Sequence, residues 1–148
     1  SPVKAAAIEL GLPVVHRVDD VLDLGAEAGV VVAFGQIIKP HVLDVLPMVN
    51  LHFSLLPRWR GAATVERALL AGDEVTGVCL MRLEEGLDTG PVFAREEVAI
   101  GPTTTGDQLR AELVEVGTRM LVDSLRDGLG EPEEQVGEPT YAAKITPD

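Results

Sequence analysis

The sequence predicts an α/β fold, a doubly wound and mostly parallel sheet, and three observations carry that expectation. Strand-like apolar runs alternate with segments of helical spacing along the chain, the pattern of repeated β-α units. The run Val-Val-Val-Ala-Phe, Val30 to Phe34, is unbroken rather than alternating, as expected where both faces of a parallel strand are covered. The stretch from Val49 to Gly61, Val-Asn-Leu-His-Phe-Ser-Leu-Leu-Pro-Arg-Trp-Arg-Gly, begins as an alternating strand and ends in a loop closed by Pro57 and Gly61. Residues two apart in a strand share a side, so Asn50 and His52 face one way while Leu51 and Phe53 face the other. An amide and an imidazole thus sit together at the carboxyl end of a strand, where open α/β sheets bind ligands.

Taken in order, Ser1 caps a short helix that Pro2 opens and Gly11 stops. Pro13 to Val18 is a β-branched run that reads as a strand, and Asp19-Asp20 can cap a second helix reaching Ala28. After the Val30 to Phe34 strand, Gly35 lets the backbone come close to a ligand, and Pro40 to Leu46 makes a short helix. Beyond Gly61, Val65, Ala68 and Leu69 fall at helical spacing, with Gly72 as the stop. Val75 to Leu83 is apolar on both faces and reads as a strand. Glu84 to Gly90 is a glycine-bounded loop carrying Asp88, and Val92 to Ile100 alternates with charges, as a half-exposed edge strand does. Thr105 and Gln108 form a capping box for a long helix to Asp127, with Leu109, Leu113, Val116 and Met120 as its buried stripe. Gly128 to Pro139 is acidic and rich in Gly and Pro, so residues 1–127 read as the domain and 128–148 as a linker.

The 148 residues are 46% hydrophobic, enough for one domain with a core built on Val, Leu, Ile and Ala, since aromatics make up only 3%. A net charge of −12 argues against a free-standing nucleic-acid binder, because phosphate contacts need clustered Lys and Arg. One cysteine, Cys79, excludes an internal disulfide framework and fits a reducing cytoplasm. No stretch approaches the roughly 20 apolar residues of a membrane span. No Cys or His cluster has metal-ligand spacing, so no metal is expected.

Asn50, His52, Ser54-Leu55-Leu56-Pro57, Arg58-Trp59-Arg60-Gly61-Ala62-Ala63, Thr76-Gly77-Val78 and Leu87-Asp88-Thr89-Gly90 follow one another in an order that resembles the folate-dependent formyltransferases. The similarity runs from Ser1 to about Ile145. Within it, Leu-Leu-Pro-Arg-Trp-Arg-Gly-Ala-Ala is most similar to the branch that formylates initiator methionyl-tRNA, rather than glycinamide ribonucleotide or amino sugars. Thr64-Val65 stands where the family usually shows Pro-Ile. The resemblance implies a Rossmann-like formyltransferase domain whose first βαβ unit precedes the matched segment, and a further C-terminal domain. Without that unit, the strand at Val30 to Phe34 becomes an apolar edge.

The implied reaction moves a formyl group from the co-substrate 10-formyltetrahydrofolate to an amine, in the cytoplasm. Resemblance assigns catalysis to Asn50, His52 and Asp88. Acyl transfer builds an oxyanion that needs fixed donors, and an Asn amide and a protonated His supply them. Asp88 either accepts the amine's proton through water or orients His52. Also by resemblance, folate lies against Ala33, Phe34, Gly35 and Ile37 and against the Ser54, Leu55, Leu56, Pro57 loop, with the Asp88 loop closing the other side. Gly86 and Gly90 would give that loop conformations closed to other residues. Arg58, Trp59 and Arg60 are either a solvated loop with a stacked ring or a cationic lip for the acceptor end of tRNA. The partners implied are folate and initiator methionyl-tRNA, with no membrane and a monomer at full length. Two alternatives stand beside this reading: a small-amine acceptor, and folate binding without catalysis. Cys79 reads as a small core side chain, and His16 and His41 as ordinary surface or loop histidines.

Overall fold

A computed structural model describes residues 1–147. Its helices are α1 (Pro2–Glu9), α2 (Pro40–Leu43), α3 (Thr64–Leu70) and α4 (Gly106–Asp127), and its strands are β1 (Gly29–Val32), β2 (Met48–His52), β3 (Arg60–Gly61), β4 (Val75–Arg82), β5 (Val92–Ala99) and β6 (Tyr141–Ala142). Four strands form the main sheet in the order β1-β2-β4-β5, and β3 and β6 form a small second sheet. The α/β layering holds, and the pairing is mixed. β1 runs parallel to β2, while β4 pairs antiparallel with both β2 and β5. Direct antiparallel pairing suits β4 and β5, because only a short loop joins them and a parallel partner would need a long crossover.

α4 lies across one face of the sheet. Its capping box is present as the sequence requires, with Thr105 Oγ1 accepting from the Gln108 amide and Gln108 Oε1 from the Thr105 amide. Leu109, Leu113, Val116 and Met120 pack against Val49, Leu51, Val78, Leu80 and Val98. The helix comes so close that a Cβ on Gly117 would lie 2.8 Å from Leu51 Cδ2. Since Leu51 is spent on this core, strand alternation turns Asn50 and His52 to the opposite face. There His52 stands opposite Cys79 and Asn50 opposite Met81. Cys79 and Met81 pack with Leu56 and Val92 in a small core beneath the loop that follows β2. Burial pushes the Cys79 thiol above its ordinary range, consistent with a core role.

The N-terminal third departs most from the sequence expectation. Pro13 to Val18 forms no strand, and the second helix is only a 3₁₀ turn over Val18–Asp23 that ends at Gly25, where φ is +69°. A β-branched run becomes a strand only beside a partner, and among the described residues none offers this segment a backbone to pair with. β1 accordingly pairs on one edge with β2 alone, and Val30 and Val32 are 43% and 48% exposed rather than covered. An apolar groove beside it is lined by Val15, Val18, Val21, Val30, Phe34 and Met48.

The segment after α4 also differs from a linker. Glu133 and Val92 exchange two backbone hydrogen bonds, and β6 pairs parallel with β3. Residues 128–142 therefore run as a strap across the domain. Their Gly- and Pro-rich composition suits an irregular extended path as well as a free one, and the pairing partners lie about 40 to 80 residues away in the chain, as in Val92 with Glu133 and Gly61 with Ala142.

Candidate active site

His52, at the end of β2, is 6% exposed, and each ring nitrogen faces a protein group. Nε2 lies 2.8 Å from the Trp59 carbonyl oxygen. A carbonyl only accepts, so Nε2 carries the hydrogen and donates it. Nδ1 faces Asp88 Oδ1 at 3.8 Å, too long for a direct hydrogen bond and an ion-pair distance when the ring is protonated there. The other carboxylate oxygen, Oδ2, accepts from the Gly61 amide at 2.7 Å. Asn50 shares the strand face with His52 and is half-buried. The three residues assigned to catalysis are thus carried by one strand end and one facing turn.

The loop between β2 and α3 is braced from inside. Ser54, fully buried, donates its hydroxyl to the Arg58 carbonyl at 2.6 Å. Leu56, also fully buried, enters the Cys79 and Met81 core through a cis Leu56–Pro57 peptide. Both side chains therefore shape the loop from within, while Leu55 and Pro57 are half-buried. Asp73 binds Arg58 through two hydrogen bonds, at 2.6 and 2.9 Å, and accepts from Trp59 Nε1 at 2.8 Å. Arg58 stacks on the Trp59 ring, its guanidinium carbon 4.5 Å from the centroid. The Arg58 guanidinium holds the Asp73 carboxyl below the usual carboxylate range, with the Trp59 hydrogen bond adding to it.

Arg60 bonds to Gln135 Oε1 from Nε at 3.2 Å and from Nη2 at 2.8 Å. The same Gln135 side chain donates from Nε2 to the Asp88 carbonyl at 2.7 Å and the Gly90 carbonyl at 2.9 Å. Thr140 completes the strap: its hydroxyl accepts from the Trp59 amide at 2.9 Å, and its carbonyl accepts from the Arg60 amide at 2.8 Å.

Asp73, Gln135 and Thr140 stand outside the residues the sequence singles out. The only trace of Gln135 is a neutral amide in an acidic run, and the Trp59 carbonyl, being backbone, leaves no trace in sequence. The residues assigned to folate, Ala33, Phe34, Gly35 and Ile37, follow β1 and are exposed. Among the described residues, three non-glycine residues take left-handed φ: Ala33 at +49°, Trp59 at +60° and Asp88 at +52°. Each lies in a segment the sequence assigns to the site, where strained backbone tends to collect. Gly86 and Gly90 serve the Asp88 turn by close approach rather than by positive φ. A Cβ on Gly90 would lie 1.9 Å from the Arg82 carbonyl oxygen. Among the described residues, no group of three or more His, Cys, Asp or Glu is placed to hold a metal ion.

The formyl transferase family pattern matches residues 14–125, most of the chain. The chain belongs to the formyl transferase family. Formyl transferases similar to it include methionyl-tRNA formyltransferase of Roseobacter denitrificans, 49% identical over 98% of this chain and 52% of that relative. The same enzyme of Dinoroseobacter shibae is 50% identical over 98% of this chain and 52% of its own length. Among solved structures, the sugar 3N-formyltransferase WlaRD, determined with dTDP and 5-N-formyl-THF, superposes with a TM-score of 0.76 at 20% identity, over 92% of this chain and 51% of that one. The chain spans about half the length of the relatives it matches.

Proposed function

We propose that this chain carries the catalytic site of an enzyme that moves a formyl group from 10-formyltetrahydrofolate to the amino group of initiator methionyl-tRNA. The juxtaposition of His52 and Asp88, with Asn50 on the same strand face, is the observation that carries the reading. The attacking amine adds to the formyl carbon, and the carbonyl oxygen becomes an oxyanion. The Asn50 NH₂ and, in the protonated ring, the His52 Nδ1–H supply hydrogen bonds to it. Asp88 Oδ1 faces that ring nitrogen while Oδ2 is fixed by Gly61, so the carboxylate orients the imidazole and takes the amine's proton through water. Collapse of the intermediate breaks the carbon–nitrogen bond to the folate, whose nitrogen takes up a proton as the formamide is released. Family membership and the WlaRD complex support folate as donor.

The acceptor reading rests on the methionyl-tRNA formyltransferases at 49% and 50% identity. Arg60 is tied to a neutral partner and keeps its positive charge, whereas Arg58 is matched by Asp73. Arg60 is therefore the better of the two for meeting an acceptor phosphate. The test is formyl transfer by the full-length protein to initiator methionyl-tRNA, glycinamide ribonucleotide and an amino sugar nucleotide, side by side. Transfer to the tRNA alone is expected. Transfer only to a small amine overturns the acceptor, and folate binding without transfer to any of them overturns catalysis.

A further inference from the structure

We propose that Gln135 is a positioning residue that holds the Asp88 turn in place against His52; the inference rests on Asp88 acting in formyl transfer. A carboxamide has two hydrogens to donate and two lone pairs to accept with, and Gln135 uses all four. Its NH₂ spans the Asp88 and Gly90 carbonyls, and its oxygen receives two bonds from the Arg60 guanidinium. The next residue after Arg60, Gly61, donates its amide to Asp88 Oδ2. Asp88 is thus gripped twice, by its carbonyl from the strap and by its carboxylate from the β3 loop, and Gln135 ties those two grips to each other.

The grip matters because Asp88 sits at φ +52°, a conformation a non-glycine residue keeps only when its surroundings hold it there. The strap can hold it because it is itself fixed on both sides of Gln135. Glu133 pairs with Val92, and Tyr141 and Ala142 pair with Arg60 and Gly61. Glu, the near-isostere of Gln, cannot substitute: it keeps an acceptor toward Arg60 but turns a second acceptor on two carbonyl oxygens.

The experiment compares turnover of the full-length protein with Gln135→Met, Gln135→Glu, Asp88→Asn and the Asp88→Asn/Gln135→Met double variant, using 10-formyltetrahydrofolate and initiator methionyl-tRNA. Both Gln135 variants are expected to lose about 10- to 100-fold in kcat, the scale of a misplaced catalytic group. Gln135→Glu is expected to fare no better than Gln135→Met. In the double variant, loss of Gln135 is expected to add no further decrease, because the group it positions is already gone. A purely structural role would instead multiply the two defects, and that result overturns the proposal. Near-normal kcat in Gln135→Glu, which keeps the Arg60 contact, overturns it too, and decides the matter if Gln135→Met does not fold. Normal turnover in Asp88→Asn instead overturns the assignment of Asp88 itself.

Discussion

His52 is held so that one ring nitrogen is bound by a backbone carbonyl and the other faces a carboxylate. Its Nε2–H is taken by the Trp59 carbonyl, which leaves Nδ1 toward Asp88. Trp59 is itself placed by Asp73, which binds both the indole N–H and the stacked Arg58. Because Arg58 holds the folded-state carboxyl of Asp73 below its ordinary value of 3.8, the folded protein binds this proton less readily than the unfolded chain. The stabilisation is therefore complete above that value and is lost as pH falls through the lower folded-state value. Asp73→Asn is expected to lower the urea midpoint at pH 7, by a difference that narrows as pH is taken below 3.8. An equal difference at pH 7 and pH 3 would show that the charge of Asp73 is not what stabilises. The Asn50, His52 and Asp88 set was legible in sequence because each is a side chain within a recognisable string. Asp73 and Gln135 were not, since each works on backbone or side chains brought near only by folding.

At the scale of elements, the helix expected from Thr105 to Asp127 matches α4 almost to the residue. A capping box and a stripe of period 3.6 are both local signals, and local signals survive folding unchanged. Leu113, fully buried at the centre of the stripe, is expected to cost about 2 to 5 kcal/mol when replaced by Ala, measured by urea denaturation. A loss below about 1 kcal/mol would show that the helix does not pack on β2 and β4 through this face. The paired path of residues 128–142 and the irregular path of Pro13 to Val18 both differ from the sequence expectation, for one physical cause. Extended segments are defined by their partners, and β-branched or Gly/Pro content alone does not say whether a partner exists. Thus a β-branched run stayed irregular, while an acidic, Pro-rich segment pairs with β3 and Val92.

Across the whole molecule, one face of the sheet is closed by α4, and the other carries the candidate site beneath two loops and a strap. The far edge, β1, is flanked by an apolar groove and by Phe34, which is 45% exposed. Such an edge is a place where further backbone can add, and the relatives are about twice as long as this chain. His52, fixed by Trp59 and facing Asp88, is proposed to stabilise the oxyanion of formyl transfer. Turnover of the full-length protein with His52 replaced by Ala tests it most directly, using 10-formyltetrahydrofolate and initiator methionyl-tRNA, with folding checked by circular dichroism. A fall of about 100- to 1000-fold is predicted, the scale of losing one oxyanion donor. Turnover close to that of the unaltered protein, in a folded variant, would contradict it.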